Sequence, residues 1–456
     1  MDRPTKHGII DDYMIDRSEG EIPLARLCTW GIDRDYTHLW ILPSAGFTPS
    51  VEWVQAARGE WDLKACTWQY KNAPADTPNL LRSLYTYRDK GNPANAELSK
   101  EGISVIFCGE QAAWDWARNP SLSAAQALAM IDFLQHALQV PISGSPGNTG
   151  YMYLTRILAE SKNLPWLARP SFASDDIDFV QVPWQKAVHF LTWARTPSSE
   201  ELGRKYLFKI DKNAAFPRAA VDGKQGVGAF RPWRGLKALA LWDNPEWDVR
   251  TPGIWNIKVV STGPAYNQLF PPFKDGWMPT QMVRTAREMG YRLECEQAWL
   301  FERGEHVLAK AMKQLWVIRS AQGRSEEERA ALKQIMNDLF GLFHMSELGK
   351  SPKYRPDIYD QVTGGCYSIM LENMIKFADT LGLFPLISHM DCIVYASDKP
   401  MHEVFPDNRE SLGGYKHEWQ LEMTDEVRAI LTSGRGSAVL LEKLNALARQ
   451  EVAHGV

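Results

Sequence analysis

An α+β chain of more than one domain is predicted by three observations. At 456 residues the chain is too long for one simple core, and its length alone predicts two or three domains. Its 45% hydrophobic and 23% charged residues are ordinary for a globular protein. From about residue 200 to 425, strand-like and helix-like stretches alternate. The polar segment Thr196-Pro197-Ser198-Ser199-Glu200-Glu201 is the best boundary. It divides an N-terminal α/β domain, residues 1–195, from a second domain, residues 196–425. A short helical segment, residues 426–456, follows.

The elements are read in order. Tyr36 to Leu42 is a strand, and Gly102 to Cys108 is a short β-branched run typical of a buried strand. A helix runs from Ser121 to Leu138, with Ser121 and Ser123 as cap candidates and Ala127, Met130, Ile131, Leu134 and Leu138 at helical spacing. Pro141 ends it. The turn-rich Ser143 to Gly150 lacks the Lys-Ser/Thr of a phosphate loop and reads as a connection. At the other end, Leu440, Leu441, Leu444, Leu447 and Ala448 mark an amphipathic helix.

Composition excludes some classes. A net charge of −4 gives no global basic field, so a polyanion partner needs a local track. Arg204, Lys205, Lys209, Lys212, Arg218, Lys224, Arg231, Arg234 and Lys237 make one, or else a solvated charged face. The six cysteines form no CxxC pair and have no histidine cluster beside them, which speaks against zinc and against a disulfide framework. The 18 tryptophans read as core filling. With a polar N-terminus and no run of about 18 apolar residues, the chain reads as cytoplasmic, without a membrane partner.

Three segments carry chemistry. In the first, Tyr206-Leu207-Phe208 leads into Asp211, with Phe216-Pro217 five residues later: an acid at a strand end before a turn. The second opens with a capping box, Ser325 to Glu328, and puts Lys333, Asn337 and Gly341 on one helix face, with Phe340 one step around. That face reads either as an exposed charged surface or as a groove wall for a triphosphate and a base pair. In the third, Leu386 to Tyr395, a β-hairpin places Asp391 at or just after its bend. A carboxylate flanked by Met390 and Cys392-Ile393-Val394 needs a cation, either a metal or a basic side chain.

Together these segments resemble the motifs of family B DNA polymerases. Asp211 to Pro217 is similar to that family's DxxSLYP, with Asn213 and Pro217 closest to the protein-primed branch, Ala214-Ala215 replacing Ser-Leu and Phe216 replacing Tyr. Lys333, Asn337, Phe340 and Gly341 match KxxxNxxYG, again with Phe for Tyr. His389-Met390-Asp391 stands where the family has DTD, keeping the second acid. Leu412 to Glu418 resembles the LGxxKxE-type segment that follows.

The resemblance covers roughly residues 200–425 and implies a right-hand polymerase with palm and fingers. Residues 1–195 would be an exonuclease-like remnant or an accessory domain, and the last segment a reduced thumb. It implies an enzyme that adds dNTPs to the 3′ end of a DNA primer–template, in replication of a phage or mobile element. Asp211 and Asp391 would be catalytic and hold two ions, Mg2+ or Mn2+. Lys333, with Arg319 and Arg329, would grip the triphosphate. Phe216 would exclude a 2′ hydroxyl, and Asn337 and Phe340 would pack on the nascent pair. Lys416, Tyr415 and Gly341 would meet DNA. Residues 1–195 contain no Asp-x-Glu motif; Gly31-Ile32-Asp33-Arg34-Asp35 is the nearest, so no proofreading is expected. About 30 residues after the palm are too few for a full thumb, so synthesis is expected to be distributive unless a processivity partner clamps the DNA. His389 removes one acid beside the metals. A polymerase-like DNA-binding protein without activity, and an enzyme that primes on a protein hydroxyl or without any primer, are the rival readings.

Overall fold

A computed structural model of the chain describes residues 7–10, 38–42, 60–62, 67–69, 86–87, 97–100, 103–109, 112–168, 170, 192–240, 251–261, 268–345 and 351–453. The segment Gly31 to Asp35 lies outside them. The chain divides into two compact units, Met1–Arg156 with Val317–Leu342, and Ile157–Trp316 with Phe343–Val456. Both mix helices with sheets, the five-stranded sheet of the first unit part parallel and part antiparallel and those of the second wholly antiparallel.

In the first unit, β1 (His7–Ile10), β2 (His38–Ile41), β5 (Thr86–Tyr87), β6 (Glu97–Lys100) and β7 (Ile103–Phe107) form a sheet in the order β1-β2-β7-β6-β5. The first three in that order are parallel and the remaining pairs antiparallel. A separate hairpin joins β3 (Glu60–Asp62) to β4 (Thr67–Gln69). Trp40, Ile41, Ile106 and Trp114 are buried beside Ile131, Leu134 and Leu138 of the helix Ala124–Leu138. That helix starts at a Ser123–Gln126 capping box and stops at Gln139, in the left-handed region at φ 54°.

The turn-rich stretch after it is not only a connection. Pro146 opens a helix, Pro146–Glu160, with its fixed φ suited to the first turn. Gly147 and Gly150 let that helix approach another: a Cβ at Gly147 would lie 2.8 Å from the Asp338 carbonyl oxygen, and one at Gly150 3.1 Å from that of Ile335. Those carbonyls belong to the helix Glu326–His344, whose Ser325–Glu328 capping box forms with two bonds of 3.1 Å. Leu332, Ile335, Met336, Leu339 and Phe340 are its buried side.

The second unit runs β8 (Thr192–Ala194), β9 (Tyr206–Lys212), β10 (Gln225–Ala240), β11 (Gly253–Ser261), β12 (Gly276–Pro279), β13 (Arg292–Glu305), β14 (Ile387–His389), β15 (Cys392–Ser397) and β16 (Tyr415–Glu422). These make two antiparallel sheets, in the orders β10-β13-β11-β12 and β16-β9-β15-β14-β8. The helix Pro356–Leu381 is buried along most of its length against the helices Ala215–Asp222 and Thr280–Glu288. Gly364 is required there, since a Cβ would stand 2.8 Å from Pro279. Arg355 is fully buried at the start of this helix. It forks onto Asp357 at 2.9 and 2.7 Å and donates to the carbonyls of Trp166, Ala168 and Gly226, so its charge is satisfied.

Strand alternation gives the second sheet two different faces. Phe208 and Ile210 of β9 point to one, where Phe208 meets the rings of Tyr395 and Phe405. Leu207 points to the other, into a cluster with Val394, Ala396, Leu421, Leu440, Leu441 and Leu444. The helices Asp425–Leu431 and Ser437–Ala453 supply that cluster and cover the Leu207 end of the face. Lys209 and Asp211 share the face further along. Among the described residues, no helix is long and apolar enough to cross a membrane.

Candidate active site

Asp211 is the penultimate residue of β9, and two neighbouring strands deliver its surroundings. On one side, β14 and β15 form a hairpin that pairs His389 with Cys392 and leaves Met390-Asp391 as its bend. Cys392 lies directly opposite Asp211 in the ladder. The Lys212 N–H donates to the Asp391 carbonyl at 2.8 Å and ties the bend to the end of β9. Met390 takes φ 55°, a conformation that costs a non-glycine residue roughly 1–2 kcal/mol. On the other side, Lys416 of β16 lies directly opposite Asp211. The turn before β16 is locked by two bonds, Asn213 N–H to the Gly414 carbonyl at 2.8 Å and Gly413 N–H to the Asn213 carbonyl at 2.9 Å. Gly413 sits at φ 75°, and a Cβ there would meet Arg218 at 2.5 Å, which explains the Gly-Gly of this segment.

The electrostatics follow from crowding. Burial, then the charge of Asp391, push the Asp211 carboxyl up to about 6, against the opposing bond from Lys416. Lys416 Nζ lies 2.9 Å from Asp211 Oδ2 and 2.7 Å from Glu418 Oε1. Burial works against its ammonium, yet these two carboxylates outweigh burial and raise its pKa. His389, which stands in for an acid, is half-buried, and its Nδ1 has no hydrogen-bond partner among the described residues.

The reverse face of the same strand ends holds a second group. Lys212 is 5% exposed, its ammonium 4.4 Å from the centre of the Tyr415 ring. Burial lowers its pKa to about 8. Tyr415 is buried too, and its hydroxyl has no hydrogen-bond partner among the described residues. The resemblance assigns Tyr415 to DNA, but alternation along β16 turns it away from the face that carries Lys416. Phe216 is half-buried in the first turn of the helix Ala215–Asp222. The preceding Ala214 is also left-handed, at φ 53°.

The structure therefore brings Asp211, Asp391 and Lys416 together in the second unit. Lys333, Asn337, Gly341, Phe340, Arg319 and Arg329 belong to the first unit. There Arg329, Lys333, Asn337 and Gly341, four residues apart, make one exposed stripe along the helix Glu326–His344. Phe340 is on the buried side at 3% exposure. Arg319 is half-buried on the helix Ala309–Ser320.

No protein-family model matches the chain, and no curated protein matches it. Solved structures do. The fold is similar to that of Phi29 DNA polymerase complexed with primer-template DNA, at a TM-score of 0.50 and 11% identity over 88% of this chain and 78% of that one. It is equally similar to Phi29 DNA polymerase complexed with primer-template DNA and incoming nucleotide substrates, at a TM-score of 0.50 and 12% identity over 88% and 79%. At such identity the likeness is one of fold. The mixed α/β architecture with antiparallel sheets is of the polymerase kind.

The donor set can be tested against the divalent ions that the resemblance implies. Among the described residues, no three His, Cys, Asp or Glu side chains converge as they stand to hold a metal. Two carboxylates do converge, closely enough for one to raise the other's pKa. Paired hard oxygen donors suit Mg2+ or Mn2+, which keep water and substrate oxygens as their remaining ligands. Asp211 and Asp391 fit on that basis. Sequence reasoning passed over Glu418, and it placed Lys212 on a basic track from which burial removes it. Glu418 closes the motif-like segment that begins at Leu412, and its signal was there to use. Nothing in the sequence shows that Lys212 is buried.

Proposed function

We propose that the chain is a DNA polymerase, adding deoxynucleotides to a primer 3′ end on a template by metal-assisted phosphoryl transfer. The observation that carries the reading is the pairing of Asp211 with Asp391, one at a strand end and the other on the adjoining hairpin bend that the Lys212 N–H ties to it at 2.8 Å. The polymerase-like fold supports it. In this reading the sheet carrying Asp211 is the palm, and the helix carrying Lys333 belongs to the fingers.

Asp211 and Asp391 hold the divalent ions. When bound, these supply activation of the attacking hydroxyl and neutralisation of the leaving pyrophosphate. Lys333, Arg329 and Arg319 bind the triphosphate through charge-assisted hydrogen bonds, and Asn337 fixes its orientation. Phe216 packs under the sugar and selects against a 2′ hydroxyl. Gly341, open to solvent, lets a DNA backbone come close. Buried Tyr415 is not carried into this reading as a DNA ligand, and Lys416 engages the carboxylates of Asp211 and Glu418. No proofreading is included, because residues 1–195 lack an Asp-x-Glu pair.

One observation favours a second reading, DNA binding without synthesis: His389 stands where an acid would add charge beside the metals. Extension of a labelled primer–template, with a no-primer control, separates the two. Metal-dependent extension by the wild-type chain, lost in Asp211→Asn and Asp391→Asn, is expected. Products without a primer would indicate priming. DNA binding with no synthesis under any condition would overturn the proposal in favour of the second reading.

A further inference from the structure

Lys416 stands where a metal must come. Its ammonium is bonded to Asp211 Oδ2 at 2.9 Å, on the carboxylate assigned to the ion. The sheet builds this contact, because Lys416 is the direct cross-strand partner of Asp211. It also builds an alternative. The register shift between His417 and Trp419 leaves Glu418 without a strand partner, and its carboxylate reaches Lys416 at 2.7 Å. The Lys416 and Glu418 side chains are each 31% exposed, so the pair has room to move as Asp211, at 16%, does not.

We infer that Lys416 is a built-in counter-cation that competes with a divalent metal for Asp211 and withdraws onto Glu418 when the metal binds. An ammonium and a divalent ion on one carboxylate repel each other strongly at this distance. Without metal, Lys416 neutralises the Asp211 carboxylate across the ladder. With metal, Glu418 keeps the displaced ammonium satisfied. Metal affinity is thereby set below what the two aspartates alone would give. The inference rests on reading Asp211 and Asp391 as the metal-binding pair.

The test is Mn2+ binding to the full-length chain, read from the signal of free Mn2+ by electron paramagnetic resonance at constant pH. Lys416→Met and Lys416→Gln are expected to bind Mn2+ about tenfold more tightly than wild type, the scale of removing one partly exposed competing charge. Adding Asp211→Asn should erase the gain. A readout without substitution is the acylation rate of Lys416 by mass spectrometry, expected to rise several-fold with Mn2+. Affinity equal to or below wild type in the Lys416 variants, or acylation unchanged by Mn2+, would overturn the inference and leave Lys416 a strand-to-strand strap. If neither wild type nor any Lys416 variant binds Mn2+ through Asp211, the metal reading itself has failed, a result distinct from the other.

Discussion

The two faces of the β16-β9-β15-β14-β8 sheet each hold a lysine beside the end of β9, under opposite conditions. Lys416 lies between two carboxylates and is raised above the ordinary lysine range. Lys212, one residue beyond Asp211, lies over the flat of an aromatic ring and is lowered by burial to about 8. Residue type is the same and the strand ends adjoin. The difference is the side to which a period of two turns each residue. One face gathers charge that a metal or substrate can use. The other is core, where Phe377 meets Tyr395, Phe405 and Tyr415 edge to face and an ammonium is an intrusion. In the proposed reading only the first face serves the chemistry, and burial on the second works against the Lys212 ammonium.

The sharpest way to break this contrast is to remove the acids. If the two acids hold the metal as proposed, Asp211→Asn and Asp391→Asn should each lower primer extension on the order of a thousandfold or more, since such ligands act in the transition state. Circular dichroism should show both variants folded; wild-type rates in either would end the assignment. Lys333→Ala tests a cation from the exposed stripe of the first unit. About a tenfold rise in KM for dNTP is expected, with the fold unaffected.

Stability experiments sharpen the buried side. Lys212→Met should stabilise the chain by about 2 kcal/mol at neutral pH in urea unfolding, because it removes a desolvated charge that has no carboxylate bonded to it. A loss of stability would mean that the ammonium's contact with the Tyr415 ring outweighs burial. The first unit offers a parallel in Asp338, which burial, then Asp115, push up to about 6. Its native pKa lies above the unfolded value, so the folded state binds more protons between about pH 4 and 6 and stability falls as pH rises through that window. Asp338→Asn should therefore match wild type near pH 4 and exceed it by about 1 kcal/mol at pH 7, after allowance for solvent screening. An advantage that grew towards acid pH would contradict this. The smallest effect is expected at the hairpin bend. Met390→Gly relieves a left-handed residue and should gain about 0.5 kcal/mol, net of the extra freedom of glycine in the unfolded chain.

Local elements were legible wherever a short-range rule governs them. The strands at 38–41 and 103–107, the caps at Ser123 and Ser325 and the hairpin before Tyr395 all rest on periodicity or on contacts within four residues. The Ser143 to Gly150 segment misled because its glycines answer to a distant helix, at Ile335 and Asp338. Turn composition and close helix packing use the same residue. Tyr415 misled for a related reason: a motif preserves order along the chain, but the face a strand residue takes depends on register.

The sequence by itself determined the order of Asp211, Lys333 and Asp391, the exposed face shared by Lys333, Asn337 and Gly341, and the bend that carries Asp391. Each follows from backbone geometry over a few residues. Only the tertiary structure decided that Asp391 raises Asp211, that Lys416 is bonded to the same carboxylate, and that Lys212 is sunk beneath them. Those depend on strands more than 170 residues apart meeting in one ladder, and charges interact through space rather than along the chain.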